Sequence, residues 1–224
     1  MGKCFFNNLF RISLVLFTCV LPVVVNGQKT SQEEMPQYLY PEFIKSDVLM
    51  KSGKINTVQM NYNIVTERMV FISNDKYYDM TNPDMADTVF LNGCKFTPVG
   101  KSFYEVLLSN PIALYIQHKG SLMSAGKPVG YGGTSQTTSS TYISSIEFSG
   151  HQANFALPKD YIVNPFTVYW IRKGEKWSDF SNEKQLLGLF PGNAAQIKSF
   201  IRENRLKIER PENLTRIIKY CSTF

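Results

Sequence analysis

Residues that build metal and catalytic centres are scarce in this sequence. The 224 residues include four Cys and two His, and neither C-x-x-C nor H-x-x-x-H spacing occurs among them. Metal sites need clustered His, Cys or carboxylate ligands, so the sequence predicts no metal site. The G-x-S-x-G turn of a serine nucleophile and the G-x-x-x-x-G-K-[ST] phosphate loop are also missing. We therefore expect no cofactor and no catalytic residue.

The two histidines leave one catalytic alternative open. His118 falls on the same face of a predicted strand as Ile112, Leu114 and Ile116, which is typical of a histidine at a strand end. A Ser or Cys nucleophile activated by His118 or His151 would make the protein a hydrolase with an unrecognised site. Nothing in the sequence selects that nucleophile.

Long apolar runs are also missing, except near the start of the chain. Lys3 and Arg11 precede an almost wholly apolar stretch over 12–25, and Val25-Asn26-Gly27 follows it. This pattern predicts a signal peptide over 1–27, since the apolar stretch is shorter than the roughly 20 residues of a membrane span. The protein is then exported to the periplasm, the cell surface or the medium, with no transmembrane span after cleavage. An N-terminal membrane anchor and lipidation at Cys19 are the alternatives.

Charge is concentrated at the end of the chain. The formal net charge is +6, and residues 182–224 hold eight basic and four acidic side chains. Such a patch could favour an anionic partner such as a lipid head group or an acidic glycan. A solvated helix face is the plainer interpretation. Export argues against a nucleic-acid partner.

Only Cys94 and Cys221 remain after removal of the signal peptide. An oxidising compartment would allow these two residues to form a disulfide. Cys221 also lies on the apolar face of a predicted helix, so a buried free thiol is the alternative.

Period-two hydrophobicity dominates the body of the chain. Between residues 55 and 64, Val58, Met60, Tyr62 and Ile64 share one face while polar residues, Asn61 among them, share the other, which is typical of a half-buried strand. Further strands are predicted over 47–51, 68–73, 76–80, 88–91, 95–99, 103–108, 112–118, 152–157, 166–173 and 176–180. Asn92-Gly93 marks a tight hairpin turn. Apolar residues on both faces of 166–173 predict a strand that is covered on both sides.

The end of the chain has helical periodicity instead. Ser181 is the predicted N-cap of the first helix. The apolar positions of three short amphipathic helices are Leu186, Leu187 and Phe190, then Ala194, Ile197, Phe200 and Ile201, then Leu214, Ile217, Ile218 and Cys221. Helices this short are unstable alone and must pack on each other or on a sheet.

These patterns predict an α+β, mainly β fold. We expect an antiparallel β-meander, forming a sandwich or an open barrel, followed by a C-terminal module of two to three short helices. The predicted domains are a disordered leader over 28–37, a β-rich domain over 38–181 with a Gly/Ser/Thr-rich loop at about 120–149, and the helical module over 182–224 packed on it.

Aromatic residues are the best candidates for ligand contact. Tyr169, Trp170 and Trp177 could form a face that binds a glycan or a peptide. In a β domain such residues also serve as core and cross-strand pairs, and that interpretation stays open.

The end of the chain resembles a family of exported proteins of Bacteroidota that has no assigned function. The shared pattern is Phe190-Pro191, then I-K-x-F-I-x-x-N-x-L over 197–206, then Leu214, Ile218 and Tyr220. The segments GKPVGYGGTSQT and VQMNYNIVTERMVF are similar to central parts of the same family, so the resemblance spans roughly 38–221. It implies a bacterial envelope setting and no particular activity. In that setting Asp87-Thr88-Val89 has the form of an O-glycosylation acceptor, with Thr88 as the modified residue.

The sequence therefore favours a non-enzymatic binding or structural role in the envelope. The partner would be an envelope protein or a glycan. A glycan-, peptide- or lipid-binding module is the first alternative, and the hydrolase with an unrecognised site is the second.

Overall fold

A computed structural model describes residues 35–124, 127–129, 133–135 and 161–224. The strands in this part of the chain are β1 Ile44–Met50, β2 Ile55–Asn63, β3 Arg68–Ser73, β4 Lys76–Asp79, β5 Ala86–Leu91, β6 Cys94–Val99, β7 Ser102–Leu108, β8 Ala113–Ser124, β9 Lys127–Val129, β10 Gly133–Ser135, β11 Tyr161–Lys173 and β12 Lys176–Phe180. The helices are α1 Glu183–Gly188, α2 Ala194–Glu203 and α3 Pro211–Cys221. The predicted class, mainly β with a helical C-terminal end, is confirmed.

Ten of the strands form one antiparallel sheet in the order β12-β11-β8-β7-β6-β5-β1-β2-β3-β4, and β9 pairs with β10 separately. The sheet consists of two meanders, since the chain returns after β4 through the 3-10 turn Pro83–Met85 and adds β5 to the free edge of β1. The Asn92-Gly93 hairpin is confirmed, because both residues have positive φ angles of 50° and 77°.

The sheet curls until its two meanders meet. The Gly120 backbone N–H donates to the Ile64 carbonyl at 2.7 Å, although four strands separate β8 from β2 in the sheet order. Only a small residue fits at this contact, since a Cβ on Gly120 would lie 2.9 Å from Ile64 Cγ1 and 3.0 Å from Val163 Cγ1. The ten strands therefore form one open, curled sheet and not the two packed sheets of a sandwich.

The concave side of the sheet carries two apolar clusters. The first, inside the curl, includes Met60, Tyr62, Met69, Phe96 and Phe103, all fully buried. The second lies where α1, α2 and α3 cover β8, β11 and β12. Its buried members include Leu114, Ile171, Phe180, Leu186, Ile197, Leu214 and Ile217. The amphipathic faces predicted for the helices are confirmed, because helices and sheet share this second cluster.

Local details differ from the sequence-based predictions at the helix start and at the leader. The N-cap of α1 is Asn182, whose Oδ1 accepts from the Gln185 N–H at 2.9 Å, and not Ser181. The end of the predicted leader is ordered, since Gln37 is buried and Tyr38 pairs with Asn63. Residues 28–34 lie outside the described part of the chain.

The predicted Gly/Ser/Thr-rich loop contains strand residues. β8 continues to Ser124, because β11 pairs with it from Tyr161↔Ser124 to Arg172↔Ala113. β9 and β10 also fall within this segment, while its remaining residues and the predicted strand over 152–157 are outside the description. Composition alone favours a loop here, whereas a long partner strand supplies the hydrogen bonds that extend β8.

Candidate ligand-binding face

A cluster of aromatic side chains lies on the side of the sheet opposite the helices. Its members come from β7, β8, β11 and β12, which are neighbours in the sheet, and we call this cluster the aromatic face: Tyr104, Tyr115, Trp170 and Trp177. The register explains the clustering, because Tyr115 pairs with Trp170 and antiparallel partners point to the same side.

The rings of the aromatic face contact one another directly. Trp170 stacks on Tyr104 with centroids 5.9 Å apart, and Tyr115 lies 4.9 Å from Trp177. The two indoles meet edge to face at 6.3 Å and 73°. Tyr104 and Tyr115 are buried, whereas Trp170 and Trp177 keep part of their surface exposed. The tyrosines therefore form a base on which two accessible indoles rest.

Polar groups fix the position of the Trp170 indole. Trp170 Nε1 donates to Gln117 Oε1 at 2.8 Å, and Gln117 Nε2 donates to Glu67 Oε2. Lys119 Nζ lies 2.6 Å from Glu67 Oε1. The indole is thus held by a relay that ends in an ion pair, and it is pre-oriented before any ligand arrives.

Charged groups border the same face. The Arg172 guanidinium lies 5.5 Å from the centroid of Trp177, within the range of a cation–π contact. Asp179 pairs across from Trp170. Burial raises the pKa of the Tyr104 hydroxyl, and the charges of Glu67 and Asp179 raise it further. That phenol therefore remains protonated at neutral pH.

The three predicted ligand-face aromatics do not lie together. Trp170 and Trp177 belong to the aromatic face, but Tyr169 points to the helices and stacks on Phe180 at 5.5 Å. The grouping of Tyr169 with the tryptophans is wrong, because successive strand residues point to opposite sides. Only one side of this strand is covered, since Tyr169 and Ile171 are buried under the helices whereas Phe166, on the side of Trp170, is 41% exposed. The prediction of a strand covered on both sides is therefore wrong.

Sequence reasoning missed Tyr115, Gln117 and Glu67. Alternation along the strand over 112–118 puts Tyr115 and Gln117 on one side, but a local pattern does not show which residues of other strands lie beside them. Glu67 carries no local signal, since it reaches Gln117 only through the curl of the sheet. Its φ of 57° marks the turn between β2 and β3.

A second polar group lies on the concave side, between the two apolar clusters. His118 Nε2 lies 2.7 Å from Glu105 Oε2, and the Cys94 thiol is adjacent to Glu105 and Tyr40. Burial raises the pKa of Cys94, and the neighbouring Glu105 raises it further while Tyr40 lowers it. His118 lies within β8 and not at its end.

This polar group does not have the order of a hydrolase site. A nucleophile must contact the imidazole, whereas here the carboxylate lies between the imidazole and the thiol. Across 35–124 and 161–224, no serine hydroxyl or cysteine thiol hydrogen-bonds to the His118 ring. His151 lies outside the described residues. Within the same described part of the chain, no three His, Cys, Asp or Glu side chains are placed to hold a metal ion.

Two further predictions, a disulfide and a glycosylation site, are wrong. Cys94 and Cys221 are free thiols that pack against different apolar clusters, so no disulfide joins them. Thr88 is 2% exposed, and its hydroxyl donates to Asp87 Oδ2 at 2.9 Å. A hydroxyl this buried is not accessible for glycosylation in the folded domain.

Comparison with known proteins finds no relative of this chain. No protein-family model, curated protein or solved structure matches the chain. Among the helices of the described residues, none combines the length and hydrophobicity that a membrane crossing requires.

Proposed function

We propose that this chain is an exported, non-enzymatic binding protein of the bacterial envelope, and that the aromatic face holds a glycan. The observation that carries the proposal is the pair of partly exposed indoles, Trp170 and Trp177, supported on two buried tyrosines. Export follows from the signal pattern of residues 1–27.

The chemistry of the aromatic face suits a sugar. A pyranose ring presents an apolar C–H surface that packs on an aromatic ring, and its hydroxyls need planar polar partners at the edge. Trp170 and Trp177 supply the rings, while Arg172 and Asp179 supply charged partners at the border. Because the Trp170 indole is already fixed, binding of a ligand costs less conformational entropy.

A lipid-like ligand is less well supported. Such a ligand would need an apolar cavity inside the curled sheet. That interior is filled by side chains, since Met60, Tyr62, Phe96 and Phe103 are each 0% exposed.

The fluorescence of the protein offers a direct test. The chain has two tryptophans, and both belong to the aromatic face, so tryptophan emission reports on this surface alone. Titration with chitotriose, cellotriose and maltotriose, followed by a glycan array, should shift or quench the emission for at least one sugar class. Trp177→Ala should weaken that binding about tenfold or more, because an aromatic anchor is lost.

Phe90→Ala is the matched control, since Phe90 is 46% exposed on β5, outside the aromatic face. It should leave binding unchanged. Equal affinity of the wild type and Trp177→Ala would contradict the assignment, and so would the failure of every glycan to bind. Recovery of one envelope protein by pull-down, together with no glycan binding, would replace the glycan by a protein partner.

A further inference from the structure

A separate cavity of about 400 Å³, open to solvent, lies on the helical side of the sheet. It is formed where β8 begins, β11 ends and α3 ends. Its wall includes Ile112, Lys173, Phe190, Asn193, Cys221 and Phe224. The volume falls in the range of roughly 300–1,000 Å³ that is usual for small-molecule sites.

Lys173 is the charged residue of this wall. Its Nζ lies 3.7 Å from the centroid of the Phe190 ring, so the ammonium rests on an aromatic surface at the cavity. Burial lowers the pKa of Lys173, and nearby Lys176 lowers it further while Cys221 opposes this effect. Lys173 as a whole stays exposed, so only the part of the ammonium that faces Phe190 has exchanged water for an apolar surface.

Lys173 has no carboxylate within ion-pair distance among the described residues. Over the parts of the chain that the structure describes, three ion pairs form, and none of them includes Lys173. The Cys221 thiol at the cavity is 2% exposed, and burial raises its pKa to about 11, so it supplies no negative charge at neutral pH. An ammonium that is held on an aromatic ring at the cavity, with no carboxylate of the described residues beside it, can pair with an anionic ligand there.

We propose that this cavity binds a small organic carboxylate with an apolar body. The carboxylate pairs with the Lys173 ammonium, while the apolar body lies against Phe190, Ile112 and Phe224. The site does not depend on the glycan proposal, since Lys173 follows Tyr169 and Ile171 on the helical side of β11 and Trp170 is on the other side.

The test is isothermal titration of the full chain with 2-naphthylacetate, and with 2-(2-naphthyl)ethanol as its uncharged analogue. The carboxylate should bind with a Kd below about 1 mM, and the alcohol should bind at least tenfold more weakly because it lacks the ion pair. Equal binding of the two probes would overturn the proposal, and so would a carboxylate that does not bind.

Three variants localise the effect. Lys173→Met keeps the apolar stem and removes the charge, and should weaken carboxylate binding about tenfold or more. Lys173→Arg should restore affinity to within a few-fold of the wild type. Lys176→Met is the matched control, since Lys176 is an exposed lysine that pairs with Lys173 across the same turn but does not line the cavity. A loss in Lys176→Met equal to that in Lys173→Met, with unchanged melting curves, would place the effect in general surface charge and overturn the site.

Discussion

His118 Nε2 lies 2.7 Å from Glu105 Oε2, at the boundary between the two apolar clusters of the concave side. Glu105 pairs with Ile116 across β7 and β8, which places its carboxylate beside the imidazole two residues further along. The ring of His118 also lies 6.2 Å from that of Phe96. The side chains of Glu105 and His118 are 14% and 18% exposed, so each depends on the other for much of its polar contact.

Removal of one partner should therefore be costly. We expect Glu105→Ala to lower the free energy of unfolding by about 1–3 kcal/mol, because the half-buried imidazole is left without its acceptor. Urea denaturation monitored by circular dichroism measures the change. Glu175→Ala, in the exposed turn before β12, is the control and should change stability by less than about 0.5 kcal/mol. If Glu105→Ala destabilises the protein no more than the small change expected for Glu175→Ala, the pair contributes nothing to stability.

Local patterns in the sequence predicted most of the elements. The predicted strand over 68–73 is β3 without any change of bounds, and the apolar helix positions such as Leu214 and Ile217 are those that the helices bury. These features depend on side-chain alternation and on turn residues, which a short window of sequence contains.

Features that depend on distant parts of the chain could not be predicted in this way. Asn61 falls on the polar face of its strand by alternation, yet it is 0% exposed. Its Oδ1 accepts from the Tyr62 N–H at 2.8 Å, and its Nδ2 donates to the carbonyls of Tyr40 and Glu42 at 2.8 and 3.0 Å. The segment that covers Asn61 precedes β1 and lies 19 to 21 residues away in the sequence. The relay from Trp170 to Glu67 was missed for the same reason, since the curl of the sheet brings it together.

The contact between Gly120 and Ile64 leads to the second prediction. Gly120→Ala should lower the free energy of unfolding by about 1–3 kcal/mol, because the new methyl group overlaps Ile64 and Val163 at the point where the meanders meet. Thermal and urea denaturation measure the loss.

Gly188→Ala provides the matched control, because its added Cβ meets nothing within 4 Å and Gly188 ends α1. It should be neutral or stabilise the protein by up to about 1 kcal/mol, since Ala favours a helix over Gly. If Gly120→Ala is as well tolerated as Gly188→Ala, the close approach does not hold the curl together.

The free state of Cys94 and Cys221 leads to the third prediction. Iodoacetamide reacts with the thiolate, and burial raises the pKa of both thiols above their ordinary value, to about 11 for Cys221. At about pH 8 the native protein should therefore be alkylated slowly at Cys94 and hardly at all at Cys221, which is also 2% exposed. Labelling of both should speed up as the pH rises, because the thiolate fraction grows.

Peptide mapping by mass spectrometry reads the two residues separately. In concentrated guanidinium chloride without a reductant, both should be alkylated fully, since unfolding removes the burial that protects them. Cys94→Ser serves as the control that the Cys221 signal does not depend on a second thiol. If Cys94 and Cys221 resist alkylation in denaturant until a reductant is added, they are disulfide-bonded. The chain would then have to bring residues from two separate apolar clusters together, which this fold does not do.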